Sequence, residues 1–297
     1  MIDTCRRIAF VALAAFVLLN SPVYGQSVQS PPQLAAPPAY VKVECPRAAL
    51  VIGLFGQSNS ANYVQPPFSG TVPDTLYQYD WKTDACYRYR EPLLGADNTH
   101  GSTITPAAVA LARSVKRPVV IAPFGVGGTS VLAWAYGFLA QQQTLALARL
   151  KQHGLAPQAF LWHQGEADGG DGKRTAEDLA RLPHFAPPQE RDFNFGLSES
   201  AYRLALTTVV RRTLKVFPQA AFGIALVSNC GGEPVRKQLR AAQRSVVRSV
   251  PRAFVSADSD HISGPQNRYD GCHFSQAGAE RLSEQYLASL RKALRLR

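Results

Sequence analysis

The chain has 297 residues and a formal net charge of +11, and 46% of its residues are hydrophobic. This is ample for one sizeable core, arranged as one large domain or two small ones. The positive charge favours anionic partners, such as acidic glycans or lipid headgroups, or belongs to a solvated basic surface. Because zinc-finger spacing and RNP-type aromatic motifs are absent, the sequence argues against nucleic-acid binding.

The first residues have the pattern of a secretory signal peptide. Arg6 and Arg7 precede an apolar run over 8–19, and Gly25 ends a plausible cleavage site. The run is shorter than the roughly twenty residues that a membrane span needs, and the sequence offers no other span. We therefore predict a signal peptide over 1–25 and a protein located in the periplasm or outside the cell.

The region after the predicted cleavage site begins with a flexible leader. Residues 26–40 are rich in Pro, Ser, Gln and Ala, a composition that suits an unstructured linker. We predict one domain over 41–297.

Short apolar runs then alternate with longer amphipathic stretches. This alternation predicts an α/β fold, a three-layer α/β/α sandwich with a mainly parallel five-stranded sheet. Ligands are expected at the carboxyl ends of the strands. The predicted strands are Ala48–Phe55, Val119–Pro123, Ala159–His163, Phe222–Val227 and Ala253–Ala257, and the predicted helices are Pro106–Ser114, Val131–Leu150, Ser198–Phe217, Pro234–Val250 and Gln276–Leu294.

Two stretches interrupt the alternation. Residues 66–98 are aromatic and polar, which is compatible with a hairpin held by Cys86. Residues 169–196 are rich in Gly and Pro and longer than the usual connection. Each stretch either builds the rim of a pocket or is a plain surface insertion.

Four cysteines remain after the predicted cleavage, and an even number in an exported chain suggests disulfide bonds. Four cysteines allow three connectivities. We favour Cys45–Cys86 and Cys230–Cys272, because each pair links a strand end to a loop expected beside it.

The segment Gly56-Gln57-Ser58-Asn59 directly follows the first buried strand. A serine at the carboxyl end of a parallel strand exposes its hydroxyl in the crevice where such sheets place their chemistry. That hydroxyl is a weak nucleophile until a base takes its proton, so Ser58 requires a partner elsewhere in the chain.

The best candidate base is His273, with Asp270 three residues before it. An aspartate bonded to Nδ1 would fix the tautomer of the imidazole and stabilise the imidazolium. A helix-capping or metal-binding histidine is the alternative. Because the other histidines lack the spacing of metal ligands, we predict neither a metal nor a cofactor.

Three segments supply candidates for an oxyanion hole: the N–H of Ser58, the N–H of Gly127 or Gly128, and the amide of Gln164. The glycine pair is equally compatible with a tight strand-to-helix turn. Glu166 could form a carboxylate pair of the glycosidase type with Asp168, although an ordering role in the loop fits better.

These segments occur in an order that resembles the SGNH-hydrolase superfamily, in its branch of sialate O-acetylesterase-like and acetylxylan-esterase-like carbohydrate esterases. The resemblance covers roughly residues 48–290. The matching segments are Gly56-Gln57-Ser58-Asn59, Gly127-Gly128-Thr129-Ser130 with Trp134, Trp162-x-Gln164-Gly165-Glu166-x-Asp168, and Asp270-Gly271-x-His273-Phe274.

The resemblance implies a flavodoxin-like fold and metal-free deacetylation of an O-acetylated carbohydrate, and the positive charge favours an acidic one. It makes Ser58 the nucleophile, His273 the base and Asp270 its partner, and it places Ser58, one of Gly127 and Gly128, and Gln164 in the oxyanion hole. We further predict that Gln57, Asn59 and Glu166 support the site. A lipase or phospholipase would use the same residues, and a catalytically silent glycan-binding module is the alternative of another class.

Overall fold

The computed structural model describes residues 40–169, 196–230 and 235–296, all of which belong to one unit that begins at Tyr40. The predicted signal peptide, almost all of the predicted leader and most of the stretch 169–196 lie outside the described residues. Among the described residues, no helix is both long enough and apolar enough to cross a bilayer.

A mainly parallel sheet forms the centre of the fold, as the sequence predicts. The described residues contribute eight strands to it, in the order β1-β4-β3-β5-β2-β6-β7-β8, so the prediction of five strands was wrong. The strands are β1 Lys42–Val43, β2 Leu50–Gly56, β3 Leu76–Asp80, β4 Ala85–Arg88, β5 Val119–Gly125, β6 Ala159–His163, β7 Ala221–Leu226 and β8 Ala253–Asp258.

The three additional strands all come from the amino-terminal part of the domain. β3 and β4 form the antiparallel hairpin expected within residues 66–98, and β3 also pairs in parallel with β5. β1 then pairs with β4. The hairpin therefore extends the sheet at one edge, because its half-apolar strands find an unpaired neighbour in β5.

Helices cover both faces of the sheet. One face packs against α1 and α6, and the other against α2 to α5, so each face contributes its own apolar core. β2 is buried along its whole length, as a central parallel strand must be. The helices are α1 Thr105–Ser114, α2 Val131–Ala135, α3 Phe138–Gln152, α4 Glu199–Val216, α5 Lys237–Ser249 and α6 Gln276–Leu294.

One predicted helix, Val131–Leu150, is interrupted. Gly137 has an extended backbone at the start of α3, and its N–H bonds the carbonyls of Leu132 and Ala133 to end α2. Glycine weakens a helix interior, so the chain breaks at Gly137 into two helices. The apolar periodicity alone does not reveal this break, because it continues across both helices.

Both predicted disulfide bonds are confirmed. Cys45 is bonded to Cys86 on β4, and Cys230, after β7, is bonded to Cys272. The first joins the edge hairpin to the chain beside it. The second joins two loops at the end of the sheet where the predicted motifs lie.

Candidate active site

The polar segments predicted to carry chemistry meet where β5, β2 and β6 end side by side. Gly56, the last residue of β2, is paired with Gly125 of β5 and His163 of β6. Its φ is +136°, and a Cβ there would come within 2.0 Å of the His163 carbonyl oxygen. Only glycine fits this position, which turns the chain toward Ser58.

Ser58 begins a short 3₁₀ turn, Ser58–Ser60, directly after β2. The turn is closed by hydrogen bonds from the Ser60 N–H and hydroxyl to the Gln57 carbonyl, at 2.8 and 2.7 Å. Ser58 is only 4% exposed. The candidate nucleophile therefore lies on a rigid turn in a recessed position.

The side chain of Gln57 links this turn to the segment after β6. Its Oε1 accepts hydrogen bonds from the backbone N–H of Ala167 at 3.1 Å and from the Gln164 amide at 3.2 Å. The two motif segments are thus held together by direct contact, and the supporting role of Gln57 stays a prediction with which these hydrogen bonds are compatible.

His273 and Asp270 form a close pair at the same end of the sheet. His273 Nδ1 lies 2.6 Å from Asp270 Oδ2, and Asp270 Oδ1 accepts the backbone N–H groups of Cys272 and His273 at 2.9 and 2.6 Å. Burial raises the pKa of Asp270, but these hydrogen bonds outweigh it and hold the pKa below its ordinary value. Asp270 is therefore ionised at neutral pH and oriented toward the imidazole.

Asn59 ties the serine turn to the histidine loop. Its Nδ2 donates to Glu166 Oε1 at 2.8 Å and to the carbonyl of Cys272 at 3.3 Å. The residues next to Ser58 and next to His273 are therefore in direct contact. The predicted supporting roles of Asn59 and Glu166 have a physical basis in this bridge.

A buried network behind Asn59 extends to the last helix. His163 Nε2 lies 3.5 Å from Glu166 Oε1, and His163 Nδ1 lies 2.6 Å from the Tyr286 hydroxyl on α6. Burial raises the pKa of Glu166, but the nearby His163 imidazole and the hydrogen bond from Asn59 bring it below its ordinary value. Glu166 is thus a fixed buried anion, and the sequence gives no separate signal for Tyr286.

Gln164 lies at the carboxyl ends of the strands, as predicted, but the hydrogens of its side-chain amide already have acceptors. Nε2 donates to Asp168 Oδ2 at 2.7 Å and to the Thr129 carbonyl at 3.0 Å. Asp168 also accepts from Ser130 and from the Val131 N–H, which begins α2. An oxyanion role for Gln164 would require it to give up these partners, so its role there remains a prediction.

In the glycine turn after β5, the two candidate N–H groups differ in their partners. The Gly127 N–H donates to Asp97 Oδ2 at 3.1 Å, an interaction that the sequence did not indicate. Gly128 has a φ of +68°. Within the described part of the chain, the N–H groups of Gly128 and Ser58 have no acceptor among the backbone carbonyls of the turns and loops. These two groups are therefore the candidates that remain available to a developing oxyanion.

Arg268 fixes the loop that carries His273, a function that sequence reasoning missed. Its buried guanidinium donates to the carbonyls of Ile262, Ser259 and Cys272. It also lies 4.1 Å from the ring centre of Phe274. Burial lowers the pKa of Arg268, which nearby carboxylates partly offset. One cation therefore organises a loop that has little regular secondary structure.

A hollow of about 730 Å³ lies at the opposite end of the strands, where β6, β7 and β8 begin. Arg252, which lines it, donates to the carbonyls of Gln219 and Ala220. None of the predicted site residues lines this hollow. In the part of the chain that is described, no three His, Cys, Asp or Glu side chains are grouped as metal ligands.

Comparison with known proteins reveals similarity at the level of the fold. No known sequence family and no curated protein matches the chain. A protein from Arabidopsis thaliana has a similar structure, with a TM-score of 0.60, 16% identity, and coverage of 82% of this chain and 97% of the other.

Two similar structures are described as enzymes. A carbohydrate acetylesterase from Xanthomonas citri has a TM-score of 0.53 and 14% identity, covering 82% of this chain and 56% of that one. A family two carbohydrate esterase from Clostridium thermocellum, solved with cellohexaose, has a TM-score of 0.50 and 12% identity, covering 84% and 66%. The α/β/α fold implied by the resemblance to SGNH hydrolases is confirmed.

Proposed function

We propose that this chain is a secreted or periplasmic serine esterase that removes O-acetyl groups from a carbohydrate. The observation that carries the proposal is the close pair of Asp270 and His273, connected through Asn59 and Cys272 to the turn of Ser58. A nucleophile, a base and an oriented carboxylate are the groups that acyl transfer requires.

In this mechanism, Ser58 Oγ attacks the acetyl carbonyl carbon while His273 Nε2 accepts the hydroxyl proton. Ionised Asp270 holds Nδ1–H and stabilises the imidazolium. The negative oxygen accepts hydrogen bonds from the N–H groups of Ser58 and Gly128. When the intermediate collapses, the sugar oxygen leaves with the proton of the imidazolium, and the acetyl group remains on Ser58.

The second half of the reaction uses the same groups. Water attacks the acetyl carbonyl, and His273 accepts its proton. The intermediate then releases Ser58, which regains a proton from the imidazolium, and acetate leaves. No redox step or external cofactor is needed for this balance.

Three further observations support the proposal. Two of the similar structures are described as carbohydrate esterases. The net charge of +11 suits an acidic carbohydrate. The two disulfide bonds suit an oxidising compartment, consistent with the predicted signal peptide.

Ser58→Ala tests the nucleophile. We expect turnover of an aryl acetate to fall by about 1,000-fold or more, with an unchanged melting temperature, because the change removes the attacking atom and no core contact. Ser114→Ala, the same change at the end of α1, is the control and should retain activity. Near-parental turnover in the Ser58 variant would refute the assignment.

The substrate class is tested by acetate release from acetylated xylan, sialic acids, peptidoglycan and acidic bacterial polysaccharides. A parallel comparison of acetyl with octanoyl esters separates an acetylesterase from a lipase, since a small acyl pocket rejects the longer chain. Tight glycan binding without labelling of Ser58 by an organophosphonate would instead indicate a binding module.

A further inference from the structure

Two tyrosine rings lie nearly parallel to the imidazole of His273. The centre of the Tyr63 ring is 4.7 Å from the imidazole centre, with 21° between the planes. The Tyr269 ring is 6.1 Å away at 27°, and this residue is 40% exposed. Tyr63 therefore makes the closer contact, and it is the more buried of the two.

The backbone explains why Tyr63 reaches His273. Two residues beyond Tyr63, the Gln65 N–H donates to the Phe274 carbonyl at 3.3 Å, and the Gln65 carbonyl accepts from the Gln276 N–H at 3.2 Å. This parallel bridge joins the chain just after the serine turn to the chain just after His273. The stacked ring lies beside this bridge.

The phenol end of the same side chain lies against the glycine turn after β5. A Cβ placed on Gly127 would come within 2.1 Å of the Tyr63 hydroxyl oxygen and within 2.8 Å of the adjoining ring carbon. The ring thus extends from the imidazole to the turn that offers the Gly128 N–H. This close approach requires glycine at position 127.

We propose that Tyr63 is a positioning residue that sets the plane of the His273 imidazole by direct stacking, with its far end seated against Gly127. The inference rests on the proposed function, because it concerns the base of that reaction. Tyr63 itself takes no part in bond making or breaking.

The physical reason is that the bond to Asp270 fixes one nitrogen but not the plane of the ring. A hydrogen bond at Nδ1 leaves the imidazole able to tilt about that contact, which moves Nε2 away from the serine. A flat ring at stacking distance removes this freedom. The ring face also attracts the imidazolium that forms in both halves of the reaction.

The test compares Tyr63→Phe with Tyr63→Leu. Phenylalanine keeps the stacked ring, so we expect kcat within about threefold of the parent. Leucine removes the ring, and we expect kcat to fall about 10- to 100-fold, with KM changed less than about threefold, because small misplacements of a catalytic group have effects of this size. Tyr63→Gln is a second variant without a ring, for use if the leucine variant does not fold.

Tyr87→Leu is the matched control. Tyr87 is also half-buried and also contacts an aromatic ring, Tyr40, but it lies on the edge hairpin. This variant should retain parental kcat. The ring protons of His273 provide a second readout by NMR, because stacking shifts them upfield in the parent and in the phenylalanine variant but not in the leucine variant.

Each outcome has one meaning. A leucine variant with parental kcat overturns the inference, as does a phenylalanine variant impaired equally, since the hydroxyl and not the ring would then matter. A change in KM alone would make Tyr63 a substrate contact, which also contradicts a positioning role. Failure of the proposed function is distinct: the parent would hydrolyse no ester and Ser58 would not be labelled.

Discussion

The two disulfide bonds close loops of nearly equal length but support very different structures. Cys45–Cys86 spans 41 residues and Cys230–Cys272 spans 42. In the chain-entropy model, loops of this size stabilise the fold by about 4 kcal/mol each. Any difference in their effect on activity must therefore come from what they hold, not from how much they stabilise.

The first bond holds a region that is already regular. β4 is paired with both β1 and β3, so Cys86 lies within a hydrogen-bonded ladder. The second bond holds the loop of His273, which depends on the side chains of Arg268 and Asn59 for its shape. We therefore expect the first cross-link to be redundant for the position of the chain it joins, and the second to be needed to position the loop of His273.

The sharpest test removes each bond in turn. We expect the double variant Cys230→Ser/Cys272→Ser to lose about 10- to 100-fold in kcat/KM, because the residue before His273 loses its covalent anchor. Cys45→Ser/Cys86→Ser should stay within about twofold. Ester hydrolysis is measured at a temperature where both variants remain folded, as checked by circular dichroism.

Both double variants should lose a similar part of their stability, about 2–4 kcal/mol by denaturant titration. Equal losses of activity in the two variants would contradict this expectation, because both disulfides would then act through global stability alone.

A second test leaves both disulfides intact and replaces one arginine in each of the two regions. Arg268→Met removes the donor to three buried loop carbonyls, and we expect about a tenfold loss of kcat together with about 3 kcal/mol of stability. Arg88→Met is the control, because Arg88 donates to the Asp74 carbonyl and the Tyr77 hydroxyl at the exposed edge. Activity is measured with an aryl acetate and stability by urea unfolding.

If Arg268→Met kept full activity while it lost stability, the shape of the histidine loop would not depend on its buried cation. Full activity in the Arg88 variant is expected whatever the outcome for Arg268.

The last prediction concerns the pH dependence of stability and the buried carboxyl group of Asp168, which accepts a hydrogen bond from Gln164. Burial raises the pKa of Asp168 to about 6, although hydrogen bonds from Ser130, Val131 and Gln164 oppose the shift. Because the folded pKa is above the unfolded one, this group stabilises the fold most below about pH 4. That contribution is lost as the pH rises through about 6.

Asp168→Asn removes this titration. Relative to the parent, the variant should gain up to about 3 kcal/mol of stability between pH 4 and pH 7.5, whatever its stability at one pH. Urea titrations of both proteins across this range measure the difference. If the difference in unfolding free energy between variant and parent did not change with pH, Asp168 would not titrate in this range.

Local patterns in the sequence predict the centre of this fold well. The β6 strand and the α6 helix have the predicted bounds, because unbroken apolar runs and a serine cap define them. Asp270 and His273 are three residues apart, so their contact could be predicted from spacing alone. The disulfide pairing followed from the expected order of strands and loops.

The sequence does not predict contacts that join loops without periodicity. Tyr63 stacks on His273, and Asp97 accepts a hydrogen bond from the Gly127 N–H. The members of each pair are far apart in the sequence, and no periodic pattern relates them. Gln164 illustrates a different limit. Its motif correctly predicts that it lies at the carboxyl ends of the strands. The motif does not predict that its amide donates to the buried Asp168 and to the Thr129 carbonyl.

The contact between Tyr286 and His163 has a consequence for how the protein is made. α6 begins just after His273 and carries the hydroxyl that reaches the network behind Asn59. In a chain that emerges amino-terminus first, the earlier strands can pair as they emerge, but this network lacks its last member until residue 286 is available. We therefore expect the network behind Asn59 to be completed after the sheet that supports it has begun to form.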